Sequence, residues 1–184
     1  MLITPLQLEK EPLEFTVALP AGQIDYAADV HQVGPLPVTG TADLIVEHRG
    51  PHERVQDIRL RAAYDGQFEL LCARCLEPVG QPLKGDFDLI FRPEEADAEP
   101  GEHAITTDET EIGYYEASGL LLEDVVREQV LLSLPGRTLC TPDCKGLCPR
   151  CGQNLNLATC SCSTTPVDAR WNALAGLAGT VKSK

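Results

Sequence analysis

The sequence predicts an α+β fold: an antiparallel β-rich body, a meander or partly closed barrel, with one packing helix and a C-terminal cysteine-rich segment stapled to it. Three observations carry this expectation. Four or five segments with period-2 apolar alternation fall within residues 1–92. A single stretch near 119–134 has the spacing of an amphipathic helix. Six of the eight cysteines crowd into residues 140–162, and the other two, Cys72 and Cys75, sit at the end of an expected strand. The expected division is a β-rich domain over 1–92, an acidic loop plus amphipathic helix over 93–136, and a cysteine-rich segment with a short helix over 137–184.

In chain order, Leu13 to Leu19 alternates apolar and polar residues and is ended by Pro20-Ala21-Gly22, which reads as a half-buried strand. A loop through Gly34, Pro35 and Pro37 leads into a strand from Val38 to His48, closed by an Arg49-Gly50-Pro51 turn. Val55 to Tyr64 and Gln67 to Cys72 flank Asp65-Gly66, a two-residue hairpin signal. From Val79 to Arg92 another strand is expected, with Phe87, Leu89 and Phe91 on one face and Asp86, Asp88 and Ile90 on the other. Residues 93–110 are rich in Glu, Asp, Ala and Pro and read as an acidic surface loop. Ile112 to Tyr115 fits a short edge strand. Ser118 is placed to cap a helix from Gly119, and Leu121, Leu122, Val125, Val126, Val130 and Leu132 form its apolar face; Pro135-Gly136 ends it. A last short helix is expected near 165–177, where Trp171, Leu174 and Leu177 share a face and Trp171 serves as a docking anchor into the body of the protein or, alternatively, as an exposed contact for a partner.

Charge narrows the function. Residues 1–93 carry 14 acidic and 8 basic side chains, residues 94–136 carry 12 and 1, and residues 137–184 carry 2 and 6, within a net charge of −13. An acidic belt of −11 is repelled by a phosphate backbone, so broad nucleic-acid binding is disfavoured and basic proteins are the natural partners. Met1 to Pro12 lacks a basic region followed by an apolar run. No apolar stretch reaches the roughly 18 to 20 residues of a membrane span. A soluble cytoplasmic protein without a membrane partner is expected.

In a reducing cytosol, eight cysteines in closely spaced pairs read as metal ligands rather than disulfides, and zinc is the expected metal. The pairs are Cys72/Cys75, Cys140/Cys144, Cys148/Cys151 and Cys160/Cys162. Spacing admits two schemes. In one, Cys148, Cys151, Cys160 and Cys162 hold one ion while Cys72, Cys75, Cys140 and Cys144 hold a second, clamping the C-terminal segment to the β-body. In the other, Cys140 and Cys144 join a neighbouring C-terminal pair and Cys72 and Cys75 stay free. The zinc is expected to be structural, because catalytic zinc keeps an open position and usually a His or carboxylate ligand. No HExxH, GxSxG, GxxxxGK[ST] or GxGxxG pattern occurs, and the four histidines are scattered, so no enzymatic activity is expected. A redox reading of Cys72-Ala73-Arg74-Cys75 lacks the strand-to-helix setting such dithiols use. A nucleic-acid reading of the knuckles rests only on Lys145 and Arg150, with no aromatic beside them.

The strings Cys72-Ala73-Arg74-Cys75-Leu76-Glu77-Pro78 and Cys144-Lys145-Gly146-Leu147-Cys148-Pro149-Arg150-Cys151-Gly152-Gln153-Asn154-Leu155-Asn156, with Cys160-Ser161-Cys162 and a terminal Asp-x-Arg-Trp-x-x-Leu, resemble the bacterial YceD family over nearly the whole chain. The resemblance implies a non-enzymatic factor required for accumulation of large-subunit (23S) ribosomal RNA, and hence a role in large-subunit biogenesis. It also implies that the metal supports fold rather than function, since some members lack the C-terminal cysteines. Combined with the charge, it points to a basic ribosomal protein or a pre-50S particle as partner, with the rRNA reached indirectly. The alternatives are direct rRNA contact through Lys145 and Arg150 or, less favoured, dithiol redox chemistry.

Overall fold

The structure, a computed structural model, describes residues 1–50, 54–97, 112–162 and 170. Its elements in chain order are β1 (Leu2–Ile3), a helical turn α1 (Pro5–Leu8), β2 (Leu13–Leu19), β3 (Val30–Val33), β4 (Leu36–His48), β5 (Arg54–Leu71), β6 (Pro78–Pro93), a 3-10 turn Glu94–Asp97, β7 (Ile112–Tyr115), β8 (Leu120–Leu121) and α2 (Leu122–Leu132). Six strands form one sheet in the order β2-β4-β5-β6-β7, with β3 also paired to β5; β1 and β8 form a separate two-stranded ribbon. The α+β expectation holds, but the sheet is open: its path ends at β2 and β7, and these strands do not pair, so it is no barrel.

Period-2 alternation places Ile58, Leu60, Ala62, Tyr64, Phe68 and Leu70 of β5 on the inner face, level with Val38 and Ala42 of β4 and Leu83, Phe87 and Phe91 of β6. Over that face lie Leu122, Val125, Val126 and Val130 of α2, together with Ile3, Leu8, Ile24 and Tyr26. Each fully buried aliphatic side chain there contributes roughly 1.5–3 kcal/mol relative to exposure. The Tyr26 ring meets Phe68 edge-on at 5.5 Å. Tyr64 Oη donates to the Gln129 carbonyl of α2 at 3.1 Å, which orients helix against sheet.

Several sequence expectations give way here. Asp65-Gly66 is not a hairpin. β5 runs straight through it, pairing Asp65 with Lys84 and Gly66 with Leu83. Alternation of buried Tyr64, Gly66, Phe68 and Leu70 with exposed Asp65, Gln67 and Glu69 is unbroken, so turning would forfeit a continuous inner face. Gly66 is needed instead for a close approach: a Cβ there would lie 2.4 Å from Leu36 Cδ1. The irregularity falls on the facing edge. Between the pairs Val33↔Gln67 and Val38↔Tyr64, four residues on one side face two on the other, a bulge turned by Gly34 at φ 79°. The segment expected as a loop thus contains β3.

α2 begins three residues later than Ser118 and Gly119 suggest. Ser118 does not cap it; the first helical N–H, that of Leu122, donates to the Met1 carbonyl at 3.0 Å, because Leu120 and Leu121 pair with Ile3 and Leu2. Glu123 and Asp124 still occupy the first turn, where the helix dipole favours them. Leu121 and Leu132 are exposed rather than part of the apolar face. β7 lies beside β6 at the expected edge, but parallel to it. Among the described residues no helix is long and apolar enough to cross a membrane. Most of the acidic stretch, and the expected C-terminal helix with Trp171, Leu174 and Leu177, lie outside the described residues.

Where β6 ends, Arg92 and Asp57 are both buried, and the guanidinium holds the carboxylate through Nε at 3.1 Å and Nη2 at 2.8 Å, with a further 2.8 Å bond to Glu47. Tyr115 Oη donates to the Gln56 carbonyl at 2.7 Å beside this pair. Burial, then the Asp57 charge, pushes the Tyr115 phenol above its usual range.

Candidate metal centre

The reversal between β5 and β6 is made by Cys72 to Glu77 rather than by Asp65-Gly66. Cys72 N–H donates to the Glu77 carbonyl and Leu76 N–H to the Cys72 carbonyl, both at 2.9 Å, closing a tight turn at the sheet's end. The chain leaving α2 comes back across it. Ala73 N–H donates to the Thr138 carbonyl at 2.9 Å, and Cys140 N–H points at Cys72 Sγ at 3.4 Å.

This return gathers Cys72, Cys75, Cys140 and Cys144 into one group, and Cys148, Cys151, Cys160 and Cys162 into a second; within each, all four sulfurs lie within 4.8 Å of one another. In the first group, Cys72 Sγ is 3.8 Å from Cys144 Sγ and Cys75 Sγ is 3.6 Å from Cys140 Sγ. These separations are far from a disulfide of about 2.05 Å. A tetrahedral ion with metal–sulfur bonds of about 2.3 Å sets its sulfurs about 3.8 Å apart. Of the two groupings that the spacing admits, the structure has the one that ties Cys72 and Cys75 to Cys140 and Cys144. Either group offers four thiols to a single metal ion, with no His or carboxylate among them.

Backbone donors tune the first thiol of each Cys-x-x-Cys turn. The Arg74 N–H, against desolvation, pulls Cys72 down to about 6. Cys148 is likewise pulled down to about 6, by the N–H groups of Cys151 and Arg150. Burial opposes ionisation of Cys144, but Asn156 Nδ2, donating to its sulfur at 3.2 Å, and the Gly146 N–H outweigh it. At Cys72, Cys144 and Cys148 the N–H groups favour the negative charge that a metal-binding thiolate carries, whereas Cys75, Cys140, Cys160 and Cys162, beside those sulfurs, are shifted upward.

The two groups share one scaffold. Leu147 N–H donates to the Arg74 carbonyl at 3.0 Å, Leu155 N–H to the Gly146 carbonyl at 2.9 Å, and Arg74 Nη1 to the Cys144 carbonyl at 2.6 Å. Asn156 accepts the Lys145 N–H at 2.7 Å, and Asn154 donates to Glu77 at 3.2 Å. Val79, Leu139 and Leu147 pack on the buried sulfurs of Cys72, Cys75 and Cys144. The turns themselves need a left-handed residue after the second cysteine. Gly152 supplies it at φ 73°, as the sequence suggests, but in the first turn Leu76 takes it at φ 60° with its side chain 58% exposed.

Of the remaining site candidates, Lys145 and Arg150 are both exposed on the knuckles, and Trp171 lies outside the described residues. Sequence spacing missed Asn154, Asn156 and the backbone role of Arg74. The only trace of the asparagines was their place in the Asn-Leu-Asn string that follows the fourth C-terminal cysteine. Cys72 sits in a hairpin turn rather than at a helix N-terminus, the setting used by redox dithiols.

A family model described as "Large ribosomal RNA subunit accumulation protein YceD" matches residues 60–178. An uncharacterized protein of Mycobacterium tuberculosis is 36% identical over 109 residues, covering 59% of this chain and 49% of the relative. A chloroplastic large ribosomal RNA subunit accumulation protein homologue of Zea mays is 26% identical over 131 residues, covering 59% of this chain and 44% of the relative. Its counterpart in Arabidopsis thaliana is 24% identical over 148 residues, covering 69% and 46%. The chain spans about half the length of these curated relatives. No solved structure matches it.

Proposed function

The chain belongs to the YceD family, and from that membership we propose that it is a non-enzymatic factor that supports accumulation of large-subunit rRNA by holding a basic ribosomal protein or a pre-50S assembly intermediate. The observation that carries the choice of partner is the charge: residues 94–136 bear 12 acidic side chains and 1 basic. A surface of that sign attracts basic proteins and repels phosphate. The six basic residues of 137–184 are no counterweight, because four thiolates around a divalent ion carry about −2 at each site.

The all-cysteine composition of both groups fits zinc, and closed four-thiolate sites fit a structural role. Bound there, zinc would supply cross-linking of the chain, while the surface does the binding. In this reading the protein works in the cytoplasm, where thiolates stay reduced.

Filter binding to naked 23S rRNA at physiological salt tests the choice of partner. Weak binding with a shallow salt dependence is expected. Tight binding with a steep slope, abolished by Lys145→Glu with Arg150→Glu, would establish direct rRNA contact through the knuckles instead.

A further inference from the structure

Beside the edge strand β7, the turn to β8 and the first turns of α2 enclose a cleft of about 380 Å³. Its floor includes Phe91, Leu120 and Val125, which belong to the buried core. Its rim exposes apolar surface: Leu2 is 44%, Tyr114 48% and Leu121 40% exposed. Four carboxylates border it, those of Glu94, Glu116, Asp124 and Glu128. All four are exposed, and none forms an ion pair among the described residues.

Some carboxylates of the sheet, by comparison, are paired. There Asp88 is held by Arg59, Asp43 by Arg61, and Asp57 with Glu47 by Arg92. Around the cleft, four unpaired carboxylates converge beside exposed apolar side chains, and that combination favours a cationic ligand.

We propose that this cleft is the docking site for a basic segment of the partner protein, one that presents Lys or Arg next to an apolar side chain. This deepens the proposed function and rests on its reading of the partner as a basic protein. The chemistry of the cleft selects that occupant. The four carboxylates match ammonium and guanidinium groups. Leu2 and Leu121 cover the methylene stems of such side chains or an adjacent apolar residue, desolvating the charged contacts and strengthening them. A phosphate backbone meets four negative charges at the same place and is excluded. Since Glu94 follows β6 directly and Glu116 follows β7, the buried Arg92–Asp57 pair fixes one side of the cleft and α2 the other.

The test is zero-length carbodiimide coupling of the full chain, metal-loaded, to individually purified basic proteins of the large subunit, with the coupled carboxylates mapped by mass spectrometry. Coupling through Glu94, Glu116, Asp124 or Glu128 is expected. Glu116→Lys with Glu128→Lys, both exposed and outside the metal centre, should weaken the same complex about tenfold or more, since like charges across an interface are strongly unfavourable. Unchanged circular dichroism and metal content keep that result separate from misfolding. Coupling that falls on other carboxylates, with the charge-reversed variant binding as tightly as the parent, overturns the cleft while leaving the proposed function standing. Coupling to no large-subunit protein overturns both.

Discussion

Cys144→Ser is expected to release the segment after α2 from the end of the sheet and to lower the bound metal from two ions to one. Cys144 is buried at 2% exposure, its sulfur 3.8 Å from Cys72 Sγ and bonded by Asn156. Removing one of four thiolates opens the first group, whose members come from both ends of the chain's fold: two from the β5–β6 turn and two from the return beyond α2. Structural zinc contributes on the order of 10 kcal/mol to the small domains it organises. Hydrogen exchange reads the result residue by residue. The amides of Ala73 and Leu147, which bridge the turn and the returning segment, and that of Leu155, bonded to Gly146 within the segment, should lose protection. The amides along β4 and β5 should keep theirs, because their pairing from Val38↔Tyr64 to His48↔Arg54 owes nothing to the metal. Cys151→Ser, in the second group, should leave the Ala73 amide protected. Equal protection of all three amides in Cys144→Ser would mean that the thiol group is not a clamp.

Arg92→Leu is expected to lower the unfolding free energy by about 3–5 kcal/mol, because it leaves the Asp57 carboxylate buried without its partner. Among the described residues no buried side-chain polar atom lacks a hydrogen-bond partner, so this substitution would create a defect the fold otherwise avoids. Asp57→Leu combined with Arg92→Leu should recover most of the loss, since an apolar pair of similar size carries no uncompensated charge. Urea unfolding of the metal-loaded variants measures both. A single substitution costing less than about 1 kcal/mol, the range of a surface ion pair, would show that the site is hydrated rather than buried. The position bears on the proposed docking cleft, because this pair holds the end of β6 just before Glu94.

What the sequence made legible and what it hid follow from the range of the forces concerned. Alternation located β2, β4 and β6 because an inner face needs apolar side chains at every second position. The pairing of the eight cysteines was readable as pairs, but the partner of Cys72 and Cys75 depends on where the chain returns after α2. That return is set by the Thr138 and Cys140 contacts some 65 residues away in the chain. Asp65-Gly66 misled because the local turn signal is weaker than two neighbouring strands pairing straight through it, and because Gly66 serves a close approach to Leu36. The start of α2 was hidden for a similar reason: its first N–H is capped by the Met1 carbonyl, a backbone group that no side-chain capping rule detects. The parallel β7 and the cleft beside it are tertiary outcomes, formed where the stretch from Tyr114 to Glu128 meets Leu2, Phe91 and Glu94 from distant parts of the chain.

Native mass spectrometry of the protein purified from its own cell extract tests the account most directly, because one spectrum counts the metal ions and weighs the bound partner. The account predicts a chain carrying two zinc ions together with a basic protein of the large ribosomal subunit. A chain with fewer than two ions, or one whose partner is an RNA fragment without protein, would contradict it.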